Sequence, residues 1–205
     1  MGLENFGLSS VIFIVVAYLI GSFPSGLIIG KMFYQMDIRE HGSGNLGGTN
    51  ALRVLGKKGG AAVYALDILK GGIAVLIAMH LQSDIHPLII AIFSLVGHVF
   101  PIFAGFKGGK AVATSGGIIL FYSPILFVIL LIIFTISLKI WKMVSLSSTI
   151  IAIIMLAVVW INPYNNPNYD LIGCIVFSMF AAIVFIKHIP NYKRIIKGTE
   201  NKVNF

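Results

Sequence analysis

The chain has 205 residues, 58% hydrophobic and 11% charged, with a mean hydropathy of +0.96, a balance outside the range of soluble globular proteins. Its fifteen Lys and Arg outnumber seven Asp and Glu for a net charge of +8, but the charges are bunched between long apolar runs. That pattern reads as one all-α polytopic membrane domain over residues 1–205, not as a nucleic-acid binder. Cys174, the single cysteine, lies in an apolar run, which excludes a disulfide framework and a thiolate metal site; the five histidines show no HxxxH or HxxEH spacing, so no metal and no cofactor is expected.

The apolar runs are 9–30, 61–80, 88–106, 111–138, 143–161 and 171–187. The stretch before the first carries Glu4 and no Lys or Arg, unlike a secretory signal. The fourth run is long for one span and is interrupted by Ser123–Pro124. Segment 31–60 holds Lys31, Arg39, Arg53, Lys57 and Lys58, whereas the connectors "LQSDIHP" (81–87) and "NPYNNPNYD" (162–170) hold no Lys or Arg. If 111–138 crossed once, Lys139 and Lys142 would face outward; if it goes out and back at Ser123–Pro124, they return inside. Seven transmembrane helices are therefore expected, with the N-terminus outside and the C-terminus cytoplasmic. Fourteen basic residues are then cytoplasmic, and Lys70 lies in the inner half of the second span. The two pieces of the fourth run, about 13 and 15 residues, are short for a bilayer core of about 30 Å; a re-entrant hairpin would give the same sidedness.

On this topology the polar residues gather at the cytoplasmic ends. "GSFPSG" (21–26) occupies the inner half of the first span, where Pro24 removes a backbone donor and kinks the helix. "HGSGNLGGTNALR" (41–53) follows as a cytoplasmic loop, with Arg53 on the first turns of a helix. In "DILKGG" (67–72), Asp67 and Lys70 share a helix face at i,i+3 spacing. "GHVFPIFAGFKGGK" (97–110), "VSLSS" (144–148) and "KHIPNYKR" (187–194) all fall at the same surface, while the outer halves are bland. His80 and His86 flank the outer connector and receive no role; His98 and His188 taken singly read as interior histidines, and Lys139 and Lys142 as topological anchors.

Glycine-rich loops with nearby cations suit phosphate, since bare N–H groups can point into a nest while Lys or Arg neutralises the charge. "GSGNLGGTNALR" is one such loop; "GFKGGKAVAT", with Lys107 and Lys110, is a second. Neither matches a P-loop, because Ala111 follows Lys110. A phosphorylated metabolite meeting a lipid-like partner at the cytoplasmic interface fits this arrangement. A transporter or exchanger of a phosphorylated metabolite is the competing class, but it needs polar, broken helices near the midplane and access from both sides, and the outer halves are almost uniformly apolar.

Taken together, "GSFPSG", "GSGNLGGTNALR", "DILKGG", "GHVFPIFAGFKGGKAVAT", "VSLSS" and "KHIPNYKRIIKGTENK" resemble the bacterial acyl-phosphate-dependent glycerol-3-phosphate acyltransferases, the PlsY family, nearly end to end. The resemblance implies a seven-helical enzyme of the bacterial inner membrane with its active site facing the cytoplasm. Its expected reaction is acyl transfer from acyl phosphate to the 1-hydroxyl of sn-glycerol 3-phosphate, yielding lysophosphatidic acid and phosphate. It further implies functional coupling to an upstream enzyme that makes acyl phosphate. Carried over by position, Ser43, Arg53, Lys110, His188 and Asn191 are the expected catalytic residues. Gly42, Gly44, Asn45, Thr49, Asn50, Lys70, Gly108, Gly109 and Ser145 are the expected substrate-binding ones. Lys110 with Gly108 and Gly109 should cradle the acyl phosphate; which phosphate the first loop holds is left open by the sequence, with glycerol 3-phosphate the favoured one. The family tail usually carries Arg before the histidine; here Lys187 keeps the charge but loses the bidentate fork. An acyl phosphate is already activated, so direct attack by the hydroxyl with a substrate phosphate taking the proton is expected, with His188 as the alternative base.

Overall fold

The computed structural model describes residues 7–80, 85–161 and 170–203. Glu4 and most of both Lys/Arg-free connectors, residues 81–84 and 162–169, lie outside the described residues. Among the described residues every regular element is helical, in two compact units, Met1–Tyr122 and Ser123–Phe205. The first holds α1 (Leu8–Gly21), α2 (Ser25–Tyr34), α3 (Gly48–His80), α4 (Pro87–Val99) and α5 (Val112–Tyr122), with single 3-10 turns at Ile38–Glu40 and Ile102–Ala104. The second holds α6 (Pro124–Trp141), α7 (Val144–Trp160) and α8 (Leu171–Ile196). Among the described residues five stretches are long and apolar enough to cross a membrane: Leu8–Tyr34, Gly48–His80, Pro87–Ala104, Pro124–Trp141 and Leu171–Ile196. Helices α5 and α7 are apolar but shorter. At 1.5 Å per residue the 11 residues of α5 reach about 16 Å.

Proline and glycine set most of the boundaries. The kink expected at Pro24 is a full break: α1 ends at Gly21 and α2 restarts at Ser25, with Pro24 as its N-cap residue. Ser123–Pro124 likewise separates α5 from α6, Pro124 taking the first helical position, where its missing donor costs nothing. Much of segment 31–60 is helical: α2 runs to Tyr34, and α3 begins at Gly48, which puts Arg53 on its first turns as expected; α3 turns at Gly56, whose φ of 76° and ψ of −173° are not helical. One boundary differs from expectation. Helix α8 continues through Pro190 to Ile196, its last turn bearing Lys193 and Arg194, cations that complement the helix C-terminus.

In the first unit small residues bring backbones into contact. A Cβ on Gly117 would overlap the Ile68 carbonyl, and one on Gly71 the Thr114 carbonyl, so α3 and α5 pack at the closest separation helices allow. Gly21 and Gly97 do the same between α1 and α4. Leu88, Ile90, Ala91 and Leu95 of α4 are fully enclosed. Ile38, Leu46, Ala51, Leu55, Val63 and Ala104 form a separate apolar cluster that anchors both the turn before the first glycine loop and the start of α3. In the second unit α7 packs on α6 and α8, burying Ser145, Ser147 and Ser148 together with Phe177, Phe180 and Val184. Helix α6 exposes Ile125, Val128, Ile132 and Ile136, an apolar surface suited to lipid.

Candidate active site

The first glycine loop is held by one side chain. Asn50, 2% exposed, accepts a hydrogen bond from the Ser43 N–H at 2.8 Å through Oδ1. Its Nδ2 donates to the Ile38 and His41 carbonyls at 2.9 and 3.1 Å. Both amide hydrogens are thus spent on the backbone, and the amide fixes the loop's shape from beneath. Gly42 and Gly44 adopt φ of 62° and 69°, the left-handed conformation that glycine takes without strain. Ser43 and Arg53 are exposed on the outer surface of this turn, and Thr49 bonds the Tyr64 hydroxyl at 2.6 Å. Before the loop, Asp37 caps its 3-10 turn and binds Arg39 at 2.6 Å; hydrogen bonds from Arg39 hold its carboxyl at about 2.

Asn45 joins this loop to the second one. Its Oδ1 accepts from the Gly47 N–H at 2.9 Å, closing a local turn, and its Nδ2 donates to the Gly108 carbonyl at 3.3 Å. Gly108 and Gly109 rest on His98: the Gly109 N–H donates to the His98 carbonyl at 3.1 Å. A Cβ on Gly108 would overlap that carbonyl, and one on Gly109 would overlap the imidazole. Lys110, half-buried, follows directly, and α5 begins two residues later. Beneath the loop sits a buried ionic cluster. Asp67 Oδ1 accepts from Ser25 Oγ and from Lys70 Nζ, both at 2.8 Å, with His98 Nδ1 at 3.6 Å. Lys70 also donates to the Phe23 carbonyl at 3.0 Å, at the α1–α2 break. Phe23, Pro24, Ser25, Leu46, Asp67, Lys70, His98, Pro101, Gly108 and Gly109 surround a recess with about 10 Å³ of water-accessible space, room for one water and not for a substrate.

In the second unit the predicted residues converge on a carboxylate. Glu200 Oε1 accepts from Ser145 Oγ and from Asn191 Nδ2, each at 2.6 Å, and Oε2 accepts from Arg194 Nε at 2.7 Å. Burial pushes the Glu200 carboxyl upward, but the hydrogen bonds from Ser145, Asn191 and Arg194 outweigh it and hold the group below its ordinary range. The chain beyond α8 is tied back where the Val203 N–H donates to the Lys142 carbonyl at 2.7 Å. His188 is buried with Nδ1 2.8 Å from the Val184 carbonyl; with that nitrogen donating, the ring's acceptor is Nε2.

Within the first unit, then, the two predicted loops meet, with Ser43, Asn45, Arg53, Gly108, Gly109 and Lys110 at or beside their junction. Asn50, expected to touch substrate, gives both amide hydrogens to backbone carbonyls, and Lys70, likewise expected, gives two of its three hydrogens to Asp67 and the Phe23 carbonyl. Within the second unit Ser145 and Asn191 share one anion. The sequence reading missed Glu200, Arg194 and the part played by His98; an isolated acid in a strongly basic tail was the available signal for Glu200. His86, given no role, caps α4 by accepting from the Leu88 N–H at 3.3 Å. Among the described residues no cluster of three or more His, Cys, Asp or Glu is arranged to hold a metal.

Comparison with known proteins matches the chain to one family. The family model "Glycerol-3-phosphate acyltransferase" matches residues 11–198. The glycerol-3-phosphate acyltransferase of Bacillus subtilis (strain 168) is 52% identical over 192 residues, covering 94% of this chain and 96% of the relative. That of Streptococcus gordonii is 42% identical over 200 residues, covering 96% and 94%. Among solved structures, PlsY (YgiH), described as an integral membrane glycerol 3-phosphate acyltransferase, superimposes in its glycerol 3-phosphate form with a TM-score of 0.88 at 32% identity, covering 96% of both chains. Its lysophosphatidic acid form gives 0.84 at 31%, with the same coverage. With identity and coverage of this extent over nearly the whole chain, the protein belongs to the glycerol-3-phosphate acyltransferase family.

Proposed function

We infer that this protein is an integral membrane enzyme that transfers a fatty acyl group from acyl phosphate to the 1-hydroxyl of sn-glycerol 3-phosphate, releasing lysophosphatidic acid and inorganic phosphate. The observation that carries the reading beyond family membership is the Asn45–Gly108 hydrogen bond, which joins the two glycine loops. Two phosphates have to be handled at once in this reaction, and two cation-bearing loops suit them. In the proposed assignment, Ser43 and Arg53 face glycerol 3-phosphate, with backbone donors from Gly42 and Gly44 and support from Asn45 and Thr49. Lys110, with Gly108 and Gly109, faces the acyl phosphate. Ser145, His188 and Asn191 are further substrate-binding groups. Asn50 and Lys70 serve the site from behind.

The hydroxyl oxygen attacks the acyl carbonyl carbon, the bond from that carbon to the phosphate oxygen breaks, and the hydroxyl proton passes to a substrate phosphate. Proximity and positive charge on the departing phosphate supply the catalysis. The same reading extends residues 1–205 to a single domain with seven crossings, the N-terminus outside and the C-terminus inside. It places the active site on the cytoplasmic face of a bacterial inner membrane, fed by an enzyme that generates acyl phosphate. The basic residues on one set of connectors support that orientation.

The decisive assay supplies the purified protein in detergent or lipid with acyl phosphate and glycerol 3-phosphate. Lysophosphatidic acid and phosphate should be released in equal amounts without acyl-CoA or acyl carrier protein. Product formation only with acyl-CoA, or none with any acyl donor, would refute the assignment.

A further inference from the structure

The buried Asp67–Lys70 pair calls for an explanation. Burying two charges costs several kcal/mol per ion, and apolar residues of similar size often serve stability equally well. Asp67 and Lys70 are 2% and 6% exposed, and Asp67 Oδ2 is buried without a hydrogen-bond partner. Stability alone therefore gives little reason to place this pair here. What distinguishes the location is its position directly beneath the second glycine loop. Asp67 draws together Ser25 of α2, Lys70 of its own helix and His98 of α4, while the Ser94 hydroxyl of α4 donates to the Lys70 carbonyl at 3.3 Å. His98 then supports the loop twice over. Its carbonyl receives the Gly109 N–H, and its ring fills the space beside the Gly109 Cα. A displacement of the imidazole is thus transmitted to Gly108–Gly109, and from there to Lys110 on one side and, through the Gly108 carbonyl, to Asn45 on the other.

We propose that Asp67 is a positioning residue for the phosphate loop: by fixing His98 against the α2–α3 ionic cluster, it sets where Gly108, Gly109 and Lys110 present themselves to the acyl phosphate. This rests on the assignment of that loop to a phosphate, made above. Asp67 acts through His98 and needs no contact with substrate. Misplacement of a binding loop by a fraction of an ångström is felt in substrate affinity before it is felt in folding.

The test is steady-state kinetics with acyl phosphate as the varied substrate, alongside thermal unfolding in detergent, on Asp67→Leu/Lys70→Met, Asp67→Asn and Gly109→Ala. The double variant removes both charges together and should remain folded, with its unfolding midpoint near that of the parent. Its KM for acyl phosphate should rise about tenfold while kcat changes by less than about threefold. Asp67→Asn, which keeps the size of the side chain, should move KM in the same direction. Unchanged KM in the folded variants overturns the proposal, and so does collapse of the fold in both Asp67 variants, which would assign the cluster to stability alone. Gly109→Ala separates the two levels of inference. If it raises KM while the Asp67 variants do not, only the positioning role fails; if it too leaves KM unchanged, the loop's assignment to phosphate fails.

Discussion

Removing the Glu200 charge should loosen the end of α8 and the start of α7 together. The carboxylate accepts three hydrogen bonds, two at 2.6 Å and one at 2.7 Å, and its side chain is 7% exposed. Glutamine at this position keeps an oxygen for Ser145 and Asn191 but turns an N–H toward Arg194, a donor facing a donor. Arg194 is about one-third exposed, 35%, so water recovers part of its loss. Bonds to a charged group contribute about 1.5–3 kcal/mol each, and Glu200→Gln should therefore cost about 2 kcal/mol. Glu200→Ala, which strands all three donors, should cost about 4 kcal/mol. For a chain of this size each kcal/mol lowers the midpoint by about 2–4 °C, giving about 6 °C for the glutamine variant and about 12 °C for alanine, read by thermal unfolding in detergent. The carboxyl's folded-state value lies below its unfolded one, so its contribution is present above the ordinary glutamate range near 4.5 and is lost as pH falls through the lower folded value. The parent protein's midpoint should accordingly decline on acidification below about pH 4.5, and that of Glu200→Gln should decline less. A glutamine variant with the parent's midpoint at pH 7 and the parent's acid profile would refute the reasoning.

Asn50→Ala should remove all three bonds that shape the first glycine loop, costing about 3 kcal/mol and raising the KM for glycerol 3-phosphate; an unchanged KM would mean the loop holds its shape without the amide. Gly117→Val should press its side chain into the Ile68 carbonyl and force α3 from α5, costing about 3 kcal/mol, visible as a lower midpoint. If a substrate phosphate takes the proton, His188→Gln should lower activity yet keep both limbs of the pH–rate profile; loss of one limb with binding intact would make His188 the general base.

How far the structure could be read in advance depended on whether a feature was local. Pro24 and Pro124 announced their helix breaks because the ring itself removes the donor, and the two glycine loops announced themselves by composition. The Asp67–Lys70 pair was legible from i,i+3 spacing alone. The start of α3 ahead of Arg53 was legible too, and the structure fixes it where Ala51 and Leu55 meet the apolar cluster around Ile38. The continuation of α8 past Pro190 rests on tertiary bonds, Asn191 to Glu200 and Tyr192 to Thr149 at 3.0 Å. Glu200 stood out only as an isolated acid in a basic tail; its partner Ser145 lies 55 positions away, and no local pattern says the two will meet. Resemblance found the residues around that carboxylate without finding the carboxylate.

The turn at Gly56 has a consequence for how the first glycine loop is joined to the span beyond it. In an unbroken helix each residue is rotated by about 100° from the last, so the azimuth of Arg53 would be locked to the rotation and tilt of the span beyond it. Lipid thickness and neighbouring helices contribute to that rotation. The non-helical torsions at Gly56 cancel the phase relation between the two segments. A Cβ at Gly56 would meet nothing within 4 Å, so the glycine is there for its torsion angles and not for room. The segments on either side of it nonetheless pack on one another: the Thr49 and Tyr64 hydroxyls bond at 2.6 Å, and Val63 joins Ala51 and Leu55 in the cluster around Ile38. Arg53 is therefore oriented by contacts made across the turn and not by the helical phase running through it.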